Sequence, residues 1–197
     1  MSQPSLPELF HIGWVVRDCA AAQQEMSERL GAGPFLSMGD ESPFNETLVH
    51  GKPVPFSLKI VFAQLGGVVL ELLQPLDDRS PHAEFLAERG EGMHHLAYVV
   101  ADFDDQLAAI RAGDPAAQLL VDGTGPGNPF RWVYIDGGNA RGTVIELWER
   151  SPQMEALYGS IRDLLRLLRD DHHLHQFQGT LTQVGTAPSG TTIVQIS

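Results

Sequence analysis

The segment HIGWVVRD (residues 11–18) decides the architecture, because HLAYVVAD (residues 95–102) repeats it without a gap. Four of the eight positions are identical, and three others exchange similar side chains: Ile for Leu, Gly for Ala and Trp for Tyr. β-Branched and aromatic residues dominate both segments, which is typical of β-strands. A repeat of this kind predicts two copies of one supersecondary unit.

Each repeated strand is followed by a predicted helix. Asp18 and Asp102 stand where helix N-caps are expected, and the helical stretches after them end at Gly31 and Gly113. Asp before a helix and Gly after it are the usual residues at helix ends, because Asp accepts hydrogen bonds from free N–H groups and Gly adopts positive φ. The repeat therefore includes a helix after the strand.

The last strand of each half also repeats. VVLELLQ (residues 68–74) and TVIELWE (residues 143–149) each place one glutamate inside an apolar run. The complete order in each half is strand, helix and then several strands. We therefore predict an α+β fold of two paired βαβββ modules, the first over residues 8–75 and the second over residues 92–150.

Two further segments complete the predicted organisation. Residues 76–91 form a linker with a short helix, in which Ser80 is the N-cap and Pro81 lies in the first turn. Residues 151–197 form a C-terminal extension that contains an amphipathic helix, because apolar residues recur at spacings of three and four: Met154, Leu157, Tyr158, Ile161, Leu164, Leu165 and Leu168. The segments LTQV and TTIVQI near the end are possible edge strands. The pattern does not decide whether this extension packs on the modules or forms a dimer contact.

Charge and cysteine content limit the possible partners and the location. The chain has 13 Lys and Arg against 25 Asp and Glu, a net charge of −12, which would repel nucleic acid and anionic membranes. Cys19 is the single cysteine, so no internal disulfide can form, as is usual in a reducing compartment. Neither a signal-peptide pattern nor a run of 18 apolar residues is present. We expect a cytoplasmic protein that binds neither nucleic acid nor membranes.

Four residues at equivalent positions of the repeat predict a metal site. His11 and His95 begin the two repeated strands, and Glu71 and Glu146 lie in the two closing strands. A carboxylate on a half-buried strand is costly unless it has a partner or a cation. A divalent cation binds imidazole nitrogen and carboxylate oxygen together, so one ion would satisfy all four side chains.

The other histidines are weaker candidates. Strict alternation along the strand places His94 on the opposite face from His95. The remaining histidines receive no ligand role, because they lie in loop-like segments (His50 and His82) or at the end of a helix, where a cationic side chain complements the dipole (His172, His173 and His175).

The chain resembles the vicinal oxygen chelate superfamily, which includes glyoxalase I, methylmalonyl-CoA epimerase, extradiol dioxygenases and bleomycin-resistance proteins. The resemblance covers about residues 8–150 and is greatest to epimerase-like proteins. It rests on HIGWVVRD, on VLELLQPL with SPHAEFLAERGEG just after it, on GMHHLAYVV and on VIELWE. It implies an incomplete barrel around a divalent ion (Zn, Co, Ni, Mn or Fe) held by His11, Glu71, His95 and Glu146.

The resemblance also implies a reaction class. We expect a metal-dependent isomerase or epimerase of the methylmalonyl-CoA epimerase type, which abstracts an α-proton through a metal-stabilised enolate. Glu146 is the first choice for the base and Glu71 is its counterpart. The substrate would be a small molecule, either an acyl-CoA or another oxygen-chelating ligand, and the assembly a homodimer. Alternatives are a glyoxalase I-like lyase, an extradiol-type dioxygenase and a non-enzymatic binding protein of the bleomycin-resistance type.

Overall fold

The structure is a computed structural model that describes residues 6–7, 9–124, 130–136 and 143–170, together with the backbone of residues 178–186 and 192–196. It confirms the predicted α+β fold, with one large open sheet and helices packed on it. The described helices are α1 (Cys19–Leu30), α2 (Pro81–Arg89), α3 (Phe103–Gly113) and α4 (Pro152–Asp170). None of the helices among the described residues combines the length and apolar character needed to cross a membrane.

The described strands all join this sheet. They are β1 (Leu9–Val15), β2 (Phe35–Ser37), β3 (Ser42–Phe44), β4 (Leu48–Val49), β5 (Lys52–Pro53), β6 (Phe56–Leu65), β7 (Val68–Pro75), β8 (Gly92–Val100), β9 (Gln118–Asp122), β10 (Trp132–Asp136), β11 (Val144–Glu149), β12 (Gln178–Thr186) and β13 (Thr192–Ile196). Their order across the sheet is β13-β12-β2-β6-β7-β1-β8-β11-β10-β9-β4-β5, and β3 pairs with β6.

The strand order shows the internal repeat directly. The first half contributes β2-β6-β7-β1 and the second contributes β9-β10-β11-β8, and the two halves meet where β1 pairs with β8 in antiparallel fashion. Within each half the first strand is parallel to the last: β1 to β7 and β8 to β11. The sheet does not close, in agreement with the predicted incomplete barrel. The division at residues 8–75, 76–91, 92–150 and 151–197 stays a prediction.

The two faces of the sheet carry different layers. Trp14 packs with Ala22 and Met26 of α1, and Tyr98 packs in the same way against apolar residues of α3. Since strand side chains alternate between faces, the histidines at the start of β1 and β8 lie on the opposite face from these helices.

The predicted side-chain cap is present at the start of α1 but absent at the start of α3. Asp18 has the extended conformation of an N-cap (ψ 112°) and accepts hydrogen bonds from the backbone N–H of Ala20 and Ala21, at 2.7 and 3.1 Å. Asp102 occupies the same position before α3, but with ψ 68° its side chain makes no capping hydrogen bond. The predicted cap at Asp102 is therefore wrong, because the backbone does not adopt the extended conformation that orients a capping carboxylate.

Helix α4 packs on the face of the sheet that carries the histidines. Its apolar side forms one core with β-strand residues such as Leu58, Phe62 and Trp148, and it contributes Met154, Leu157, Tyr158, Ile161, Leu165 and Leu168. This packing resolves the alternative left open by the sequence: within the described residues, the helix of the extension covers the modules. The predicted edge strands fall in β12 and β13, and β12 pairs with β2.

Candidate metal centre

The four predicted ligands lie side by side in the centre of the sheet. Strands β7, β1, β8 and β11 are consecutive neighbours, and each contributes one residue: Glu71, His11, His95 and Glu146 respectively. One donor atom of each residue lies within 4.8 Å of the donor atoms of the other three. All four are buried, with exposures of 0–4%. Residues at equivalent positions of the sequence repeat therefore lie next to one another in the structure.

The distances between the donor atoms are short and nearly equal. His11 Nε2 lies 3.1 Å from His95 Nε2, 3.2 Å from Glu71 Oε2 and 3.1 Å from Glu146 Oε2. His95 Nε2 lies 3.3 Å from Glu71 Oε2 and 3.2 Å from Glu146 Oε2. Despite these distances, Glu146 Oε2 accepts no hydrogen bond from the described residues. The donor atoms face a common point more than they face each other.

This geometry fits a divalent cation. Five of the six distances within this donor set are 3.1–3.3 Å, and a regular tetrahedron with edges of this length has its corners about 2 Å from its centre. Zinc is bound by nitrogen and carboxylate oxygen at about 2.0–2.2 Å. The donor set therefore matches an ion of this kind, although it does not select among Zn, Co, Ni, Mn and Fe.

The charges of the cluster also favour a bound divalent cation. Burial by itself lowers the pKa of His11, but the negative charge of Glu71 and the adjacent Glu146 raise it to about 9. Burial also lowers the pKa of His95, yet Glu146 raises it above its usual value. The two buried carboxylates thus favour the protonated form of both imidazoles when no ion is bound. One divalent cation would supply the same charge to the same four groups.

Gly13 makes room for His95. Residue 13 pairs with residue 95 across the β1–β8 ladder, and a Cβ atom on Gly13 would overlap the imidazole ring of His95. An alanine side chain at this position would therefore displace the ligand. The close approach of the His95 ring therefore explains why a glycine occupies position 13.

The prediction for His94 is wrong. The pairing passes from Gly13–His95 to Trp14–Met93, so His94 is an extra residue in β8, as in a β-bulge. The bulge breaks the alternation of faces, and His94 is buried with its Nδ1 atom 3.1 Å from Nδ1 of His95. His94 therefore lies beside the cluster and contacts one of its ligands.

His82 is also placed differently from the loop position expected. It lies in the first turn of α2, is 1% exposed, and has Nε2 at 3.3 Å from the hydroxyl of Tyr134. Its ring centroid is 4.7 Å from that of His94. Burial lowers the pKa of His82 to about 3, so its ring is neutral. His50 lies on the surface beside Glu84, and His172, His173 and His175 lie outside the described residues.

A cavity of about 370 Å³ lies against the cluster. Its lining includes Glu71 and Glu146 but neither His11 nor His95. The role of the aromatic residues in this wall is not evident from the sequence, although the alternation in WVYID (residues 132–136) places Trp132 and Tyr134 on one face. A molecule in the cavity would meet the carboxylate side of the cluster first.

Comparison with known proteins agrees with this geometry. The family model described as the Glyoxalase/Bleomycin resistance protein/Dioxygenase superfamily matches residues 10–123, more than half of the chain. The chain belongs to this superfamily. Members of the superfamily bind divalent metals, and many are enzymes. The buried cluster of two histidines and two glutamates is the candidate metal site of this member.

Relatives of known sequence and structure include epimerases. The uncharacterized protein YqjC of Bacillus subtilis is 33% identical over 93 residues, which are 47% of this chain and 65% of that protein, slightly less than two thirds of its length. The mitochondrial methylmalonyl-CoA epimerase of Bos taurus is 27% identical over 147 residues, 73% of this chain and 74% of that protein. The structure of methylmalonyl-CoA epimerase from Mycobacterium tuberculosis matches with a TM-score of 0.53 and 25% identity, covering 79% of this chain and 96% of that one.

Proposed function

We propose that this protein is a metal-dependent isomerase in which His11, Glu71, His95 and Glu146 hold one divalent cation and Glu146 acts as the base. The observation that carries the proposal is that a buried His2Glu2 cluster adjoins a cavity whose wall includes both carboxylates but neither imidazole. A substrate in this cavity lies next to the groups that can remove a proton. The epimerases among the relatives support this reaction class.

The chain's own residues account for the proton transfer. A bound divalent cation supplies Lewis acidity, which makes the hydrogen next to a chelated carbonyl group more acidic. Glu146 takes that proton, the electron pair of the C–H bond forms a carbon–carbon double bond, and the π pair of the carbonyl group moves onto its oxygen. When a proton returns to the carbon, both pairs move back and the C–H bond is restored. The apolar wall keeps water from competing for the proton.

Glu71 is proposed to act on the other side of the substrate. It lies on β7 and Glu146 lies on β11, and these strands flank the central β1–β8 pair on opposite sides. Epimerisation needs a proton removed from one face of the carbon and delivered to the other. Two carboxylates at pseudo-symmetric positions would exchange protons with the two faces of that carbon. An extradiol-type dioxygenase is less consistent with this cluster, because it uses two histidines and one carboxylate and leaves other positions open.

The proposal is tested by measuring metal content and proton exchange separately. Protein expressed with added Zn²⁺, Co²⁺, Ni²⁺ or Mn²⁺ is expected to hold one ion per chain, and His95→Ala is expected to lose it. The metal-loaded protein should exchange the α-hydrogen of a bound carbonyl compound with solvent deuterium, observed by NMR. Protein that stays free of metal after such expression would favour the binding-protein alternative.

The assembly and location are part of the same proposal. A homodimer and a cytoplasmic location are both expected from the sequence, the first by resemblance and the second from the single cysteine. Light scattering of the purified protein tests the dimer. Fractionation of cells that express the protein tests the location.

A further inference from the structure

The cavity beside the cluster has an aromatic wall. Its described lining includes eight aromatic residues: Phe44, Phe56, Phe62, Phe130, Trp132, Tyr134, Trp148 and Tyr158. They contact one another in defined pairs, with Phe44 stacked on Phe56 at 4.9 Å and Trp132 stacked on Trp148 at 5.8 Å. Such a wall buries the faces and edges of a flat ring favourably.

Helix α4 closes one side of this cavity. Leu157 and Tyr158 belong to the wall, and the Tyr158 ring is fixed by edge contacts with Phe10 at 5.0 Å and Phe62 at 5.9 Å. The space that remains, about 370 Å³, is near the lower end of the range for small-molecule sites. The cavity therefore suits a molecule of about one ring with a short polar substituent.

The charges of the wall disfavour an anionic ligand. The charged residues of the described lining are all acidic: Glu41, Glu71 and Glu146. Glu41 accepts a hydrogen bond from the hydroxyl of Ser57 at 2.6 Å, and the neighbouring exposed Asp40 pairs with Lys59 at 3.4 Å, outside the lining. The described lining contains no lysine or arginine that could pair with the phosphate groups of a coenzyme A ester.

Besides Glu146 Oε2, two polar atoms of the wall lack hydrogen-bond partners among the described residues. The indole N–H of Trp148 and Nδ1 of His82 are buried and make no hydrogen bond with the described residues. Both residues line the cavity. A buried donor without an acceptor is destabilising. A ligand oxygen near Trp148 would give that donor an acceptor.

We infer that the cavity binds a neutral α-hydroxycarbonyl compound that carries a flat apolar ring, and that coenzyme A esters are not its ligands. The ring lies among the aromatic side chains, and the two oxygens lie towards Glu71 and Glu146. This inference rests on the proposed function, because the carbonyl and hydroxyl groups are those that the cation would chelate. It adds the class of molecule and the surfaces that select it.

Binding of three probes tests the inference without turnover. 2-Hydroxyacetophenone has the ring and the two oxygens, hydroxyacetone has only the oxygens, and propionyl-CoA carries the phosphates. Titrations followed by ligand-observed NMR should give a dissociation constant for 2-hydroxyacetophenone at least about tenfold below that of hydroxyacetone, since a ring is buried. Propionyl-CoA should bind more weakly than 2-hydroxyacetophenone. Equal constants for the two ketones, or tighter binding of propionyl-CoA, would overturn the inference.

Two aromatic-to-leucine variants locate the ring. Phe44→Leu should weaken binding of 2-hydroxyacetophenone by about threefold to tenfold and leave hydroxyacetone unchanged, because Phe44 is half-buried in the wall. Tyr98→Leu, on the helix-covered face, should change neither constant. An effect of Tyr98→Leu equal to that of Phe44→Leu would contradict the assignment. Circular dichroism confirms that both variants are folded.

The same titrations on metal-free protein separate the two proposals. The preference for 2-hydroxyacetophenone over hydroxyacetone should persist without metal, although both constants become weaker. A preference that persists in a protein that takes up no metal would contradict the proposed isomerase and support the ligand class. A metal-loaded protein that exchanges α-hydrogens but binds both ketones equally would support the proposed isomerase and contradict the proposed ligand class.

Discussion

The two halves of the molecule supply matching ligands but surround them differently. His11 lies between the rings of Phe10 and Phe62, at 5.0 and 6.0 Å, and its Nδ1 atom has no partner among the described residues. His95 instead has Nδ1 at 3.1 Å from His94 and its ring tilted against Tyr134 at 4.9 Å. The repeat thus preserves the ligands, whereas the polar support of a ligand is found only in the second half of the described chain.

The side chain that precedes each ligand explains this difference, because the register of the β1–β8 ladder shifts at both positions. In β1 the residue before the ligand is Phe10, which packs against Tyr158 of α4. In β8 the corresponding residue is His94, which the extra position turns towards His95 and His82. A histidine ligand is usually oriented by a hydrogen bond to its second ring nitrogen. Packing orients one imidazole of the cluster, and a polar network orients the other.

The largest expected difference between the halves concerns the two carboxylates. Glu146→Gln should lower the rate of α-hydrogen exchange by about 10²–10⁴-fold, because an amide keeps a ligand oxygen but loses basicity. Its metal binding should fall less than that of His95→Ala. Glu71→Gln is the matched control, and exchange measured by NMR shows whether one or both carboxylates act as bases. Undiminished exchange in Glu146→Gln would exclude Glu146 as the base.

A steric test comes next in size. Gly13→Ala should weaken metal binding by about 100-fold, because the new Cβ overlaps the ring of His95 and moves a ligand. Ala97→Gly, at the equivalent position of the other repeat, removes a methyl group and should leave the affinity within a few-fold. Competition with a metal chelator measures both. Equal affinities would show that the ring of His95 moves without cost.

Removal of the His94 contact with His95 should have a smaller effect on metal affinity. His94→Ala should weaken metal binding by about tenfold, since partners of ligand histidines contribute about 10–100-fold to affinity. His94→Asn, which keeps a hydrogen-bonding group, should restore part of the loss. Phe10→Leu is the control in the first half and should change affinity little. Loss of affinity in Phe10→Leu but not in His94→Ala would reverse the assigned roles.

The smallest expected effect concerns the helix caps. Asp18→Ala should lower the free energy of unfolding by about 1 kcal/mol, because Asp18 accepts two backbone hydrogen bonds at the start of α1. Asp102→Ala should change the free energy of unfolding by only about a few tenths of a kcal/mol, since the Asp102 side chain makes no capping hydrogen bond. Urea unfolding followed by circular dichroism measures both. A cost at Asp102 equal to that at Asp18 would contradict the difference between the halves.

The sequence predicted the parts of the molecule that are local or repeated. The gapless match of residues 11–18 with residues 95–102, together with the match of residues 68–74 with residues 143–149, identified four residues that lie together in the structure. Helix α1, the linker helix and the amphipathic helix of the extension followed from caps and spacing. Their signals are contained within a few residues of the chain.

The remaining features depend on contacts between distant segments. His94 faces His95 because of how β1 pairs with β8, and alternation within one strand gives no sign of such a bulge. The apolar side of α4 was evident, but the surface that covers it was not. Strand β4, two residues long, pairs with β9 of the other half. No pattern within such a short strand could indicate its partner.

The position of α4 along the chain has a consequence for biosynthesis. A ribosome completes the strands of both halves before it adds residues 152–170, so the aromatic face of the sheet can form before its cover exists. Domains fold during synthesis from the N-terminus, and exposed apolar surface at that stage promotes aggregation and chaperone binding. The cavity beside the two carboxylates therefore gains its cover on the α4 side only after both halves have been synthesised.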